Sequence, residues 1–415
     1  MIIGAIGDDF TGSSDLGLTL SAGGMRVVQY TGIPSSKAEQ NVDAGIIALK
    51  IRSAPVADAV AKARAALRWL RDQGVHQIIF KYCSTFDSTK EGNIGPVIDA
   101  LRADLGDTGA VIICPAFPAT GRLLFMGHLF VNDRLLNESG MQNHPLTPMT
   151  DPDIRRWLGY QTRHGVGHLP LSDLRAGGGR ARLGRELAEG RPLVVCDAIE
   201  DVDLVALAEV CTEATLVTGG SGIALGLPAL HGFSAQASPR WQGESGRPAL
   251  CLSGSCSRAT RGQIAAHARA GGSQQQLDIA ALLDGRLDLD ALVDWALAAP
   301  GLPLIHSSDD PAQVALWQER YGAEHVASAI EKAFGTLARR AVTRGVGRLI
   351  SAGGETSGAV VSALGIEALE IGPPIDPGVP ALRAGGRGLM LALKSGNFGA
   401  EDFFMKAAEK LAHDG

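Results

Sequence analysis

Short apolar runs rich in β-branched residues, each ending in Gly, Ser, Asp or Lys, alternate along this chain with helical patterns, and that alternation restricts the fold more than any other feature. The runs fall at residues 1–6, 27–30, 46–49, 78–80, 111–114, 193–196 and 216–218, and again at 249–251, 302–306, 348–350 and 389–393. Continuous rather than alternating apolar character marks strands buried on both faces. Between them lie patterns such as Val56, Val60, Ala63, Leu67 and Leu70, spaced to line one side of a helix. Strands alternating with helices predict a doubly wound parallel sheet. A chain of 415 residues exceeds one ordinary core. The expected architecture is therefore α/β with two domains, 1–240 and 248–415, each a mainly parallel sheet with flanking helices, joined by the polar stretch 234–247.

The formal net charge of -6 argues against nucleic acid or an anionic membrane as the main partner. No apolar run reaches the roughly 20 residues of a membrane span, and the first residues run straight into a strand without a signal-peptide pattern, so a cytoplasmic protein is expected. The six cysteines, at 83, 114, 196, 211, 251 and 256, lack paired metal-ligand spacing and read as reduced and structural.

Three of the strand ends in the second half carry Gly and Ser: Ser253-Gly254-Ser255-Cys256-Ser257, Ser351-Ala352-Gly353-Gly354-Glu355-Thr356-Ser357-Gly358, and Lys394-Ser395-Gly396-Asn397-Phe398-Gly399. In a parallel sheet such ends share one rim, where glycine lets the backbone approach a ligand and the free N–H groups of a first helical turn face an anion. One such loop is an ordinary turn; three outline a nucleotide pocket. Lys394 reads either as a cation for the phosphoryl group or as a solvated strand end.

The strand ends of the first half have a different character. Asp8-Asp9-Phe10-Thr11-Gly12 follows the first strand, and two adjacent carboxylates exceed what a helix cap requires. Arg52 follows another strand, Lys81 to Thr89 a third with Asn93 and Gly95 beyond, and Arg122 a fourth. Cations, hydroxyls and an amide at neighbouring strand ends suit a small polyhydroxylated acid. His128 and His144 lie in a stretch, 127–150, read as an ordered loop over this rim, each more readily structural than catalytic. Residues 151–179 are read only as a short excursion. The loop Gly219-Gly220-Ser221-Gly222 could touch a ligand or simply turn.

The chain has neither the Gly-x-x-x-x-Gly-Lys-Ser/Thr phosphate loop nor a well-placed dinucleotide fingerprint. A hydroxyl-reading half joined to a phosphate-cradling half is the division a small-molecule kinase needs, with the active site expected in the interdomain cleft. The alternatives are a nucleotide- and acid-binding sensor without turnover, and a hydrolase or ligase using the same pocket.

These motifs, in this order over nearly the whole chain, resemble the four-carbon acid sugar kinase family. The long form of 80–89 and the stretch 144–150 are most similar to the branch acting on 3-oxo-tetronate, with D-threonate or D-erythronate as the alternative acceptors. The resemblance implies ATP-dependent phosphorylation of the C4 hydroxyl, with Mg²⁺ and with metal ligands left unassigned. It implies that Ser255, Gly353, Gly354, Glu355, Thr356 and Gly396 contact ATP, and that Asp8, Asp9, Arg52, Lys81, Asp87, Ser88, Asn93 and Arg122 hold the acid. A carboxylate is the expected general base, Asp8 or Asp9, with Asp87 competing. A homo-oligomer is compatible with the sequence.

Overall fold

The computed structural model describes residues 1–106, 108–144, 146–235, 241–308, 311–386 and 388–413. Pro145 and part of the expected boundary stretch, 236–240, lie outside them. The chain divides into two compact units, Met1–Pro239 and Arg240–Gly415.

The first unit is built on β1 (Ile3–Gly7), β2 (Val27–Thr31), β3 (Ala44–Ala48), β4 (Gln77–Lys81), β5 (Val111–Cys114), a hairpin of β6 (Arg122–Phe125), β7 (His128–Val131) and β8 (Arg134–Leu135), then β9 (Val166–Leu169), β10 (Leu193–Cys196) and β11 (Leu216–Gly219). Its main sheet runs β2-β3-β1-β4-β11-β5-β10-β9, every pair parallel. Strands β1, β3, β4, β5 and β10 are buried throughout, as continuous apolar runs require. The helix Val56–Asp72 buries Ala59, Ala63, Ala66, Leu67 and Leu70. Val56, expected on that stripe, is 37% exposed, and the alanines take its place because a row of small side chains lets the helix lie close to the sheet.

Two expectations change here. The stretch 127–150 is not one loop: it contains β7 and β8, antiparallel to β6 and to each other in a small three-stranded sheet. The excursion 151–179 holds the helix Ile154–Gly159, the edge strand β9 and the helix Leu171–Arg175.

The second unit contains β12 (Ala249–Ser253), β13 (Gln274–Gln276), β14 (Leu304–His306), β15 (Arg348–Ala352), β16 (Ala368–Asp376), β17 (Val379–Ala384) and β18 (Leu389–Lys394). Its strands order as β13-β14-β12-β15-β18-β17-β16, with β13 to β18 parallel and β17 and β16 antiparallel. The segment 372–380, whose four prolines would favour a turn in sequence, instead lies largely within the β16–β17 hairpin. The ladder shifts register on both sides of Pro374, and such irregularities are where a sheet tolerates proline. The core of this unit gathers Cys251, Leu304, Ile350, Ala352, Val379, Ala392, Phe403 and Phe404. No helix among the described residues is long and apolar enough to cross a membrane.

Candidate active site

Register decides which side chains meet. In the first unit Gly7 lies level with Ala48 and with Lys81, Lys81 with Gly219, and Gly219 with Cys114. The polar segments that follow these five strands therefore share one rim, beside β1 where the strand order reverses, and open α/β sheets bind ligands at such a reversal.

Arg52 organises this rim. Its Nε and Nη2 donate to Asp8 Oδ2 and Oδ1 at 2.8 and 2.9 Å, its Nη2 lies 2.9 Å from Asp9 Oδ1, and its Nη1 is 4.0 Å from Asp87 Oδ2. The backbone fixes the pair as well, since Asp8 O accepts from the N–H groups of Ile51 and Arg52. Asp9 caps the helix Phe10–Ala22, accepting from Gly12 N at 3.1 Å and from Thr11 Oγ1 at 3.1 Å. The two adjacent carboxylates thus divide the work: Asp9 caps, and Asp8 receives the guanidinium fork. Burial raises the Asp8 carboxyl above the ordinary range in spite of Arg52. Burial acts on Asp9 too, but Arg52, Lys81 and the hydrogen bonds from Thr11 and Gly12 hold it below that range.

Gly12 is required by this arrangement. A Cβ there would fall 2.3 Å from Asp9 Oδ1 and 2.8 Å from Lys81 Nζ, so a side chain would displace both charges. Lys81 is 3% exposed and donates to Tyr82 O at 2.9 Å. Phe86, fully buried, takes a φ of +56° and packs edge-on against Tyr82. A non-glycine residue in that region stores strain, and here it sits in the turn that presents Thr85 and Asp87, which are joined by a 2.5 Å hydrogen bond.

Two residues expected to touch the acid have other engagements. Ser88 Oγ donates to Phe86 O and accepts from Trp157 Nε1 and Gln161 Nε2, which uses its hydrogen-bonding capacity inside the protein. Asn93 Nδ2 donates to the carbonyls of Ile51, Arg52 and Ala54, riveting the loop that carries Arg52. Both position the site from behind. His144 accepts from Thr147 within its own turn, and His128 meets Met126 O, in line with structural roles.

Two further residues lie at this rim, Ser221 from the loop that could touch a ligand or simply turn, and Asp15, which was not expected. Asp15, inside the helix Phe10–Ala22, faces Lys81, Ser221, Asp9 and Arg122. Ser221, in the turn after β11, is 1% exposed and its hydroxyl acts on the Asp15 carboxyl. An acidic side chain two residues beyond the first turn of a helix that begins at the rim was the signal available for Asp15.

In the second unit Ser253, Ala352 and Lys394 are level across β12, β15 and β18, so the three Gly/Ser loops leave the sheet side by side. They interlock. Ser257 Oγ and Thr260 Oγ1 donate to Gly396 O at 2.6 and 2.8 Å, Gly353 N donates to Lys394 O at 2.9 Å, and Gly254 N donates to Ala352 O at 3.0 Å. The helices Gly354–Ala363 and Arg258–Arg269 both begin here, which places their unpaired first-turn N–H groups along the same rim. Ser255, Gly353, Gly354, Thr356 and Gly396 come together as expected. A Cβ on Gly396 would lie 2.5 Å from Ser255 Oγ, and one on Gly353 would lie 2.9 Å from Thr356 Oγ1. Glu355 is exposed in the first helical turn.

Lys394 is not a solvated strand end. It is fully buried, donating to Thr260 Oγ1, Ser395 O and Gly396 O at 2.9, 3.1 and 3.2 Å, with its ammonium 5.6 Å from the Phe403 ring. Burial pushes it down to about 8.

Gly353, at φ +125°, occupies backbone space that L side chains rarely adopt. Gly353→Ala is expected to destabilise the protein by about 1–3 kcal/mol. It should raise KM for the nucleotide severalfold while KM for the acceptor stays put. Steady-state kinetics with each substrate varied in turn checks this; an unchanged nucleotide KM would show that the loop does not hold the phosphates.

Comparison with known proteins agrees with this division. Residues 3–227 match the family model described as a sugar-binding N-terminal domain, and residues 250–404 match that of a nucleotide-binding C-terminal domain. Curated relatives named 3-oxo-tetronate kinase include those of Pseudomonas savastanoi pv. phaseolicola and Cupriavidus necator, each 47% identical, covering 99% of this chain and 97% of their own length. The Salmonella typhimurium relative of the same name is 44% identical over 98% of both chains. Among solved structures, a Salmonella typhimurium protein described provisionally as a tRNA synthase superposes with a TM-score of 0.90 at 42% identity, covering 98% of this chain and 99% of its own. A Haemophilus influenzae protein does so with 0.83 at 38% identity, covering 98% and 100%. The chain belongs to the four-carbon acid sugar kinase family, alongside the curated 3-oxo-tetronate kinases.

Proposed function

We propose that this protein transfers the γ-phosphoryl group of ATP to the C4 hydroxyl of 3-oxo-tetronate. The observation that carries this reading is the full-length identity of 42–47% to relatives named 3-oxo-tetronate kinase, both halves included. The geometry supports it. Residues 1–239 offer a rim of paired carboxylates and cations suited to a hydroxylated acid, where Arg52, Lys81 and Arg122 supply positive charge and Asp8, Asp9 and Asp87 supply acceptors. Residues 240–415 offer three level loops with helix N-termini, suited to phosphates at Ser255, Gly353, Gly354, Glu355, Thr356 and Gly396. Domain limits near 240 and 248 follow from the same division, and a cytoplasmic setting supplies the nucleotide.

Among the described residues no group of three or more His, Cys, Asp or Glu could hold a metal ion on its own. A kinase Mg²⁺ keeps its waters and binds through substrate phosphates with one or two carboxylates. Glu355, the acid of the phosphate loops, would be one such carboxylate. When bound, the ion would neutralise phosphate charge. The chain itself contributes orientation, through the Arg52 network and the interlocked loops, and main-chain donors for the moving group.

The test is ADP release measured on 3-oxo-tetronate, D-threonate and D-erythronate, with the product position read by phosphorus NMR. Turnover on 3-oxo-tetronate at least tenfold above the others is expected, a difference of about 1.4 kcal/mol in barrier. A preference of that size for a 2,3-dihydroxy acid would overturn the acceptor. Absence of ADP with all three would favour a sensor, and free phosphate a hydrolase.

A further inference from the structure

The four carboxylates of the first rim are not equivalent. Asp8 is 3% exposed with both oxygens on Arg52; Asp9 is committed to the helix cap and Arg52; Asp87 accepts from Thr85 and lies 4.0 Å from Arg52. Among the described residues, Asp15 is the one member of the set within 4 Å of no cationic side chain. It is also neither fully buried nor used as a cap. The groups that act on it most strongly are Lys81 from the end of β4, Ser221 from the turn after β11, Asp9 from the start of its own helix, which packs against that turn, and Arg122 from the start of β6. One of these neighbours, Arg122, carries a buried polar atom without a partner, its Nε, while Ser221 acts on the Asp15 carboxyl itself. Buried orphans of this kind are uncommon and mark a place where a ligand supplies the missing contact. A hydroxyl donor, a guanidinium edge and a carboxylate unclaimed by any cation, grouped around one spot, suit an acid sugar whose own alcohol must lose a proton.

We propose that Asp15 is the general base of the transfer, and that Ser221 orients its carboxylate and the acceptor hydroxyl. The inference rests on the kinase reading above. As the C4 oxygen attacks the γ-phosphorus, the new O–P bond forms and the hydroxyl proton passes to Asp15. The bond from the γ-phosphorus to the β,γ-bridging oxygen breaks with its electron pair leaving on ADP, and Asp15 afterwards releases its proton to water. The environment suits this task. Burial, with Asp9 adding to it, raises the Asp15 carboxyl against the lowering influence of Lys81, Ser221 and Arg122, which makes it a better proton acceptor than an ordinary aspartate.

The experiment compares wild type with Asp15→Asn, Asp15→Glu and Ser221→Ala, measuring kcat and KM for 3-oxo-tetronate with ATP across pH, and acid binding in the presence of a non-hydrolysable ATP analogue. Turnover by wild type establishes the reading on which the proposal depends, and its absence would sink that reading without involving Asp15. Given turnover, Asp15→Asn is expected to lower kcat by about 10²–10⁴. Acid binding should stay within about threefold, and the acidic limb of the kcat profile should disappear. Asp15→Glu should keep that limb. Ser221→Ala removes an influence that lowers the carboxyl, so its acidic limb should move to higher pH, which tests the proposal even if Asp15→Asn folds poorly. A kcat within tenfold of wild type in Asp15→Asn, a loss confined to acid binding, or an unmoved limb in Ser221→Ala would each overturn the assignment.

Discussion

Replacing Arg52 by methionine is expected to cost about 3–5 kcal/mol of stability at neutral pH, the range for removing one partner of a buried ion pair. The reason lies in Asp8, which is 3% exposed and loses both of its charge-assisted hydrogen bonds at once, while Asp9 loses its contact with the same guanidinium. The deficit should depend on pH with a definite sign. Asp8 is already raised by burial against the pull of Arg52, and without that pull it rises further. A carboxyl raised in the folded state binds its proton more tightly there than in the unfolded chain, so stability is gained as pH falls through the folded value. Urea denaturation of Arg52→Met and wild type at pH 7 and pH 5 should therefore show the gap narrowing at the lower pH. The double variant Asp8→Asn/Arg52→Met, which removes the buried carboxylate together with its partner, should recover about half the loss or more. Neither variant should recover turnover, which is expected to fall about 100-fold or more because the guanidinium sets the positions of three acidic side chains. A gap of equal size at both pH values would mean that Asp8 is not the group left uncompensated.

The same residues explain what a reader of the sequence can and cannot obtain. The rims were legible, because polar segments after continuous apolar runs can only meet at the strand ends of a parallel sheet, and the register Ser253–Ala352–Lys394 follows from that logic. Residue types at those ends were legible too, but not the direction each side chain takes. Ser88 and Asn93 look identical in sequence to ligand-reading residues; only the fold brings Trp157 and Gln161 onto the one and the carbonyls of 51–54 onto the other. Asp15 was hidden for the opposite reason, since an acid within an amphipathic helix ordinarily faces water, and it is the arrival of β4 and the 219–222 turn that encloses it. Pro373 and Pro374 pointed to a turn because proline cannot donate to a ladder, yet the shifts in register at Pro374 give it a place within β16.

Lys394 carries the second large effect, and it concerns the nucleotide. Its ammonium lies beneath the Gly396 loop, donating to Ser395 O, Gly396 O and Thr260 Oγ1, and Thr260 Oγ1 itself donates to Gly396 O. Carbonyls drawn inward by a cation turn the intervening peptide N–H groups toward the rim, and the positive charge remains uncompensated, with no carboxylate within ion-pair distance among the described residues. Lys394→Met keeps the stem and deletes the charge, removing three charge-assisted hydrogen bonds while Gly396 O keeps its donors in Ser257 and Thr260 and Ser395 O keeps Phe398 N. KM for ATP should rise about 10- to 100-fold, roughly 1.4–2.7 kcal/mol of binding, while KM for the acid changes little. The protonation linkage gives an independent readout. Burial pushes the lysine down to about 8, below its unfolded value, so between there and about 10.4 the unfolded chain holds more protons than the folded one and stability rises with pH. A triphosphate over the loop favours the ammonium and reverses the shift, so wild type should take up protons on binding nucleotide at pH 8–9. Calorimetry in two buffers of different ionisation enthalpy would show that uptake in wild type and its loss in Lys394→Met. Equal proton uptake in both proteins would place the phosphates elsewhere, since only a charge close above that loop can restore the proton that burial removes.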